Sequence, residues 1–208
     1  MKTEKPSKIL YHNIVIKRII YIIICTLTSC SIMAKSSHMK AVGIAMEGTA
    51  KEYCERLAGK GFSYNGRDGR WMLMKGKYEK IEGCFVGVRN GASKNVGDVI
   101  VMLPERGKWN ILEEEYLAMK KQLKKKYGKP SSDRSTFSTM WEPQDDREKY
   151  RALRWGRCMW KCVWNTEEGE VILNLDNNGR VTITFSDKLN NQAPKKESHM
   201  RKEDIYAL

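Results

Sequence analysis

The chain has 208 residues, of which 41% are hydrophobic and 30% are charged. This composition supports one compact domain or two small ones and excludes disorder over the whole length. The 38 basic and 25 acidic residues give a formal net charge of +13, so anionic partners have to be considered.

An export signal is predicted at the amino end. Basic residues precede an apolar run over Ile19–Leu27, which has the length of a secretory signal and is too short to span a membrane. The run ends in Leu27-Thr28-Ser29-Cys30, the pattern of a bacterial lipobox. Cleavage there would make residues 1–29 a signal peptide and Cys30 the site of lipid attachment. Cleavage after Ala34 is the alternative, and it would leave a soluble periplasmic or secreted protein.

A tether and a first helix follow the export signal. Residues 30–44 are predicted to be the tether, because the stretch 34–40 shows no hydrophobic periodicity. Thr49 and Glu52 form a capping box, which predicts a helix start. Behind this box an apolar stripe at helical spacing comprises Ala50, Tyr53, Cys54, Leu57 and Ala58.

Three short apolar runs separated by Gly, Asn and Asp residues predict strands at Trp71–Met74, Cys84–Val88 and Val99–Leu103. A second helix is predicted next, with Asn110 as its cap and with Gly128 and Pro130 at its end. Its apolar stripe comprises Leu112, Tyr116, Met119, Leu123 and Tyr127.

As after the first helix, strands are predicted after the second helix. A strand is predicted at Phe137–Trp141, a short helix from Asp145 to about Trp155, and an alternating strand at Cys158–Trp164. A hairpin is predicted from the strands 170–175 and 181–185, because Asn177-Asn178-Gly179 favours a tight turn.

This order predicts an α+β fold that is a degenerate tandem repeat. Each half would lay a helix on an antiparallel sheet, with the helices on one face. The first half is predicted to span residues 45–106 and the second half residues 107–190. A polar tail over residues 191–208 would follow.

Several blocks of the chain resemble those of uncharacterised exported lipoproteins of Bacteroides-type bacteria. The blocks are Gly48-Thr49, Lys60-Gly61-Phe62, Cys84–Val88, Lys126–Pro130, Glu142–Asp146, Arg157-Cys158 and Asp187–Asn190. Since no activity is established for that family, the resemblance implies no catalytic residue. The architecture is similar to tandem α+β modules of outer-membrane assembly lipoproteins and of β-lactamase-inhibitor proteins, and this similarity implies a fold alone.

Histidine chemistry is not expected in the folded part. His12, His38 and His199 are the only histidines, and all three are predicted to lie outside it. Serine or cysteine hydrolysis would then lack its usual base. The chain has no Cys-x-x-Cys pair and no core histidine is expected, so no metal site is predicted. No catalytic residue and no cofactor are predicted either.

Four cysteines remain after the predicted signal cleavage and lipid attachment: Cys54, Cys84, Cys158 and Cys162. Cys84 and Cys158 occupy matching places in the two halves and are the predicted disulfide. Cys158 and Cys162 are about 13 Å apart if they lie on one strand, which is too far for a bond. The alternative is that all four are small buried apolar residues.

A basic and aromatic segment is the predicted binding surface. It comprises Arg154, Trp155, Arg157, Trp160 and Lys161. Arginine and tryptophan are enriched in interface hot spots, which favours a protein or anionic partner here.

The predicted function is that of a non-enzymatic lipoprotein of the cell envelope that serves as a binding or scaffolding module. Its partners would be the membrane, through the lipid anchor, and either another envelope protein or an anionic envelope polymer, whereas nucleic acid is disfavoured. One alternative is a carboxylate-dependent periplasmic hydrolase using Glu113–Glu115 or the pair Asp145 and Asp146. Another is a secreted inhibitor that inserts a protruding loop into its target.

Overall fold

A computed structural model describes residues 37–138 and 142–192. The helices are α1 (Ala50–Ala58), α2 (Trp109–Tyr127), α3 (Asp146–Arg154) and α4 (Lys188–Asn191). The strands are β1 (Lys40–Ala41), β2 (Ile44–Ala45), β3 (Ser63–Asp68), β4 (Trp71–Tyr78), β5 (Ile81–Asn90), β6 (Val96–Met102), β7 (Ser132–Phe137), β8 (Cys158–Asn165), β9 (Gly169–Leu175) and β10 (Val181–Asp187).

Strands β3 to β10 form one antiparallel sheet in the order β3-β4-β5-β6-β10-β9-β8-β7, and β1 pairs with β2 in a separate hairpin. The sheet consists of two four-stranded meanders that are joined where β6 pairs with β10, with Val101 opposite Ile183. One helix, α1 or α2, precedes each meander. The predicted α+β tandem repeat is therefore confirmed.

The two faces of the sheet differ because successive side chains on a strand point to opposite sides. One register line, Val86, Val101, Ile183, Leu173 and Cys162, crosses five strands and is fully buried. The buried stripes of α1 and α2 belong to the same hydrophobic cluster as this line. The helices thus cover this face, which is called the core face below.

The starts of the two long helices test the capping predictions. The capping box of α1 is confirmed: Thr49 Oγ1 accepts from the amide of Glu52, and Glu52 Oε2 accepts from the amide of Thr49 at 2.7 Å. The cap predicted for α2 is wrong, because α2 begins at Trp109 after an N-cap Lys108 that makes no side-chain hydrogen bond. Asn110 lies inside the helix and is exposed.

The predicted tether is wrong at its carboxyl-terminal end. Residues 40–45 form the β1–β2 hairpin, and Met39, Ala41 and Ile44 are buried in the core. Asp187, which is fully buried, accepts a hydrogen bond of 2.7 Å from the amide of Met39. The fold therefore begins before residue 45, because a backbone contact with the last strand and apolar burial hold this segment in place.

The predicted Cys84–Cys158 disulfide is absent, and Cys54, Cys84, Cys158 and Cys162 are all free thiols. Strand β3 was not predicted, and its presence places Cys84 on the third strand of its meander, whereas Cys158 lies on the second strand of the other. Four strand spacings of about 4.8 Å separate β5 from β8, or about 19 Å, whereas a disulfide needs less than about 7 Å.

Some predictions fall outside the described residues: the signal peptide, Cys30, residues 139–141 of a predicted strand, and most of the polar tail. The described part of that strand is β7, which ends at Phe137. Within residues 37–138 and 142–192, no helix combines the length and the apolar character needed to cross a membrane.

Candidate functional site

The candidate site is centred on Trp155, which follows the last residue of α3. Asp145 caps this helix by accepting from the amide of Glu148 at 2.8 Å. The inner side of α3 buries Ala152 and Leu153. Since Trp155 comes directly after this anchored helix, its position is defined although 59% of its surface is exposed.

Two guanidinium groups contact the exposed indole. The Arg157 Cζ atom lies 5.0 Å and the Arg151 Cζ atom 5.8 Å from the Trp155 ring centroid, both within cation–π range. Arg154 is also exposed. We call Arg151, Arg154, Trp155 and Arg157 the Trp155 cluster. The ion pairs among the described residues involve other side chains, so these guanidinium groups keep their capacity for an acidic ligand.

A shallow depression of about 280 Å³ adjoins the Trp155 cluster through Arg157. Its lining includes Thr136, Phe137, Cys158 and Met159. Met159 is 46% exposed, which is high for a large apolar side chain. The depression therefore places an apolar contact beside the basic cluster.

Met159 also belongs to the second face of the sheet, which we call the open face. The buried stripes of α1 and α2 lie on the opposite side of the sheet, and α4 reaches the open face with Asn191, whose Nδ2 donates to Asp98 and Ser186. One register line there contains the half-buried apolar residues Leu73, Ile100, Ile172 and Val163. The open face thus carries an apolar row, interrupted by Gly87 and Thr184, that reaches β8, the strand on which Met159 lies.

The open face also contains a half-buried aromatic side chain, the indole of Trp71. Trp71 lies across Gly87, where an added Cβ atom would be 3.2 Å from the indole and 2.8 Å from Ile100. Arg89 stacks on the outer side of this indole at 4.7 Å and pairs with Asp98 at 2.8 Å. Aromatic and guanidinium groups therefore occur on this face as they do at Trp155.

The five residues predicted to form one binding surface do not do so. Arg154, Trp155 and Arg157 lie together, but Trp160 is only 8% exposed and packs against Trp109 at 5.1 Å in the core. Lys161 points to the open face. The reason is strand alternation, which sends Trp160 and Lys161 to opposite sides of β8.

Two contributors were missed in the sequence. Arg151 precedes Trp155 by four residues, a helical spacing that places the two side chains together. Met159 alternates with the buried Trp160 on β8, so its exposure follows from the same alternation once the core face is known.

The thiols of the site are not poised for nucleophilic chemistry. Burial raises the pKa of Cys158 to about 11, and burial likewise raises the pKa of Cys162. Cys162 also lies 3.1 Å from Asp133 and 3.4 Å from the hydroxyl of Tyr116. Both thiols remain protonated at neutral pH, and a protonated thiol is a weak nucleophile.

The acidic groups considered for hydrolysis have structural contacts. Glu113 accepts from Trp109 Nε1 at 2.7 Å, and Glu115 pairs with Arg106 at 2.7 Å. Asp145 is the cap of α3, and Asp146 lies 3.7 Å from Lys149. Four of these acids therefore have structural contacts, and the fifth, Glu114, is exposed.

The prediction that every histidine lies outside the folded part is wrong for His38. Its Nδ1 atom lies 3.3 Å from Asp187 and 3.4 Å from Asn190 Nδ2. The imidazole is held there because the buried Asp187 also accepts from the amides of Met39 and Asn190. Within the described residues the recorded polar contacts of this ring are with Asp187 and Asn190, and neither supplies a nucleophile.

Comparisons with other proteins add no assignment, since the chain matches no protein-family model, no curated protein and no solved structure. Among residues 37–138 and 142–192, no group of three or more His, Cys, Asp or Glu side chains is arranged to hold a metal ion. The geometry of the Trp155 cluster and the open face is therefore the basis for the functional argument.

Proposed function

We propose that this protein is a non-catalytic binding module of the cell envelope that binds an acidic protein partner through the Trp155 cluster and the adjoining open face. The observation that carries the proposal is the exposed Trp155 ring with two guanidinium groups against it. Solvent exposure of an indole is unfavourable, and a protein partner that covers it would gain the apolar burial.

The chemistry of the surroundings favours a protein over a polymer. Arginine pairs with carboxylates in bidentate geometry, so the cluster suits Asp or Glu side chains. Met159 and the apolar row of the open face would suit the hydrophobic part of a protein interface. An anionic polymer would use the charges and leave the apolar row exposed.

The envelope location rests on the lipobox at Leu27–Cys30. Cys30 would carry the lipid and hold the folded part near a membrane. Metabolic labelling with a fatty-acid analogue tests this part of the proposal. Label should enter the wild type and not the Cys30→Ala variant, and label in neither would contradict the anchor.

The binding part is tested by cross-linking in intact cells with Trp155→Ala. We expect capture of the partner to fall at least about tenfold, as for an interface hot spot. Tyr64→Ala is the matched control, because Tyr64 is also 59% exposed and lies on β3 at the opposite edge of the sheet. An equal loss with both variants, or no loss with Trp155→Ala, would refute the role of the cluster.

A further inference from the structure

A second depression, of about 420 Å³, lies on a different part of the molecule from the Trp155 cluster. It is lined by Lys60, Lys77 and Lys126, which come from three separate segments of the chain. Phe62 and Phe185 are nearly fully buried and form part of the wall. We call this site the lysine depression.

The ammonium groups have few acidic neighbours. Lys60 Nζ donates to the carbonyl of Val42 at 3.3 Å, and Lys126 Nζ lies 4.9 Å from the Tyr127 ring centroid. Lys77 pairs with Glu82 at 2.9 Å, but both side chains are more than half exposed, so this pair is weak. Glu79 is the one acidic residue in the lining. Three positive charges therefore face one negative charge.

Two hairpin turns contribute to the lining of the lysine depression. Val42 and Glu79 both line it, and each is the first residue of a two-residue turn, Val42-Gly43 and Glu79-Lys80. Both residues have φ of 53°, the left-handed conformation that such tight turns require. The lining at these two points is therefore held in place by paired strands.

A phenol adds a hydrogen-bonding group to the lining. Burial, with the nearby Glu79 and Tyr127, raises the pKa of Tyr78 to about 12. The phenol therefore keeps its proton at neutral pH. Ammonium groups, a protonated phenol and apolar walls together suit a phosphate group that is attached to an apolar body.

The location of the lysine depression favours a lipid source for that phosphate. A neighbouring depression of about 320 Å³ shares Lys126 and is lined by Ser37, His38, Lys40 and Glu168. Ser37 is the first described residue and follows Cys30 by seven positions, a distance of at most about 25 Å of extended chain. The lysines therefore lie at the end of the fold where the chain leads to the predicted anchor.

From these observations we infer that the lysine depression binds the phosphate of an anionic phospholipid headgroup and thereby orients the folded part on the membrane. The inference rests on the proposed anchor at Cys30 for its orientation. The lipid on Cys30 and the basic site would be two separate membrane-binding signals, and stable membrane attachment needs two.

The test uses residues 30–208 with Cys30→Ser, which removes the lipid while keeping all the described contacts. Vesicles of phosphatidylcholine are compared with vesicles that also contain phosphatidylglycerol, by co-sedimentation at low and high salt. We expect binding only to the anionic vesicles, and weaker binding at high salt.

The triple variant Lys60→Gln, Lys77→Gln and Lys126→Gln should lower this binding by about 100-fold, since each lysine near an anionic surface contributes roughly fivefold. The matched control changes Lys51, Lys121 and Lys149 to Gln, which line neither depression. Equal losses in both variants would show diffuse charge attraction and overturn the site.

Further outcomes distinguish a lipid phosphate from a soluble phosphate, and the lysine depression from the anchor at Cys30. Binding of glycerol 3-phosphate without binding to anionic vesicles would assign the site to a soluble phosphate and overturn the lipid inference. Vesicle binding without fatty-acid labelling of the wild type would support the lysine depression and refute the anchor. Fatty-acid labelling of the wild type without vesicle binding would support the anchor and refute the lysine depression.

Discussion

The two halves of the molecule share a scaffold and differ in one insertion. Each half places a helix, α1 or α2, before a four-stranded meander. Between the first two strands, the first half has the two-residue turn Gly69-Arg70, whereas the second half has a connection from residue 138 to residue 157 that contains α3. The exposed Trp155 and its arginines belong to this connection. The repeat thus supplies the scaffold, and the departure from the repeat supplies the candidate site.

The halves also differ in how they fill the shared core. In the second half, Trp109 packs against Trp160 at 5.1 Å and against Phe137 at 5.4 Å. In the first half, the buried aromatic of the helix is Tyr53, whose hydroxyl donates to the carbonyl of Ala41 at 2.6 Å. All of the buried hydrophobic side chains of both halves form one cluster apart from Ala152. The halves should therefore unfold together.

The largest effect is expected for Trp109→Ala, which removes an indole that is 1% exposed. We expect the free energy of unfolding to fall by about 3–5 kcal/mol, because the cavity cannot fully close. Urea denaturation followed by tryptophan fluorescence reports mainly on the second half, which contains four of the five tryptophans left in this variant. Reaction of Cys84 with a thiol reagent, identified by peptide mass, reports on the first half. Two separate transitions would contradict a shared core.

A smaller effect is expected for Asp187→Asn, which tests the connection between the last strand and the amino-terminal hairpin. The carboxylate accepts from the amides of Met39 and Asn190 at 2.7 and 2.8 Å. An amide side chain offers one acceptor oxygen, so one buried amide would lose its partner, at about 1–3 kcal/mol. A shift in the urea midpoint measures this loss. The exposed Asp146→Asn is the control, and an equal shift there would refute the contact's importance.

The loss of stability at alkaline pH tests the burial of one thiol from each half, Cys54 and Cys158. Burial raises the pKa of Cys54 and of Cys158 from 9.0 to about 11. Because the folded state disfavours the thiolate, this contribution to stability is complete below pH 9 and falls as the pH rises toward 11, by about 2 kcal/mol for each thiol. Cys54→Ala and Cys158→Ala should each reduce this fall in urea titrations. A fall that neither variant changes would contradict thiol burial as the cause.

The smallest effect is expected for Trp155→Ala on stability. Since the indole is 59% exposed, we expect the free energy of unfolding to change by less than about 0.5 kcal/mol. Thermal denaturation monitored by circular dichroism measures this. A loss of more than about 1 kcal/mol would mean that the indole supports the end of α3, and the lost capture in the binding test would then have a structural cause.

The elements with a clear hydrophobic period were predictable, and those held by tertiary contacts were not. The stripe and capping box of α1 and the alternation of β8 follow from local sequence. Strand β3 (Ser63–Asp68) was missed, because it lies at the edge of the sheet and its side chains are almost all exposed. The β1–β2 hairpin was also missed, because its contact with Asp187 joins residues nearly 150 positions apart.

The residues of the candidate site were also predictable only where the signal is local in the sequence. Arg154, Trp155 and Arg157 could be found from the sequence alone, because arginine and tryptophan lie side by side there and both are enriched in interface hot spots. The strand alternation that separates Trp160 from Lys161 could have been applied to the sequence as well. The pairing of Cys84 with Cys158 failed because β3 was missed, so that Cys84 was counted on the second strand of its half although it lies on the third.

The seam between β6 and β10 has a consequence for how the chain is divided. Two equivalent strands pair there in antiparallel fashion, as at the interface of a two-fold symmetric homodimer. The molecule is in this sense a dimer within a single chain, with the segment from 103 to 108 as the covalent link. Fragments separated at that link would each retain a helix and four strands, and they would expose complementary edges that favour reassociation.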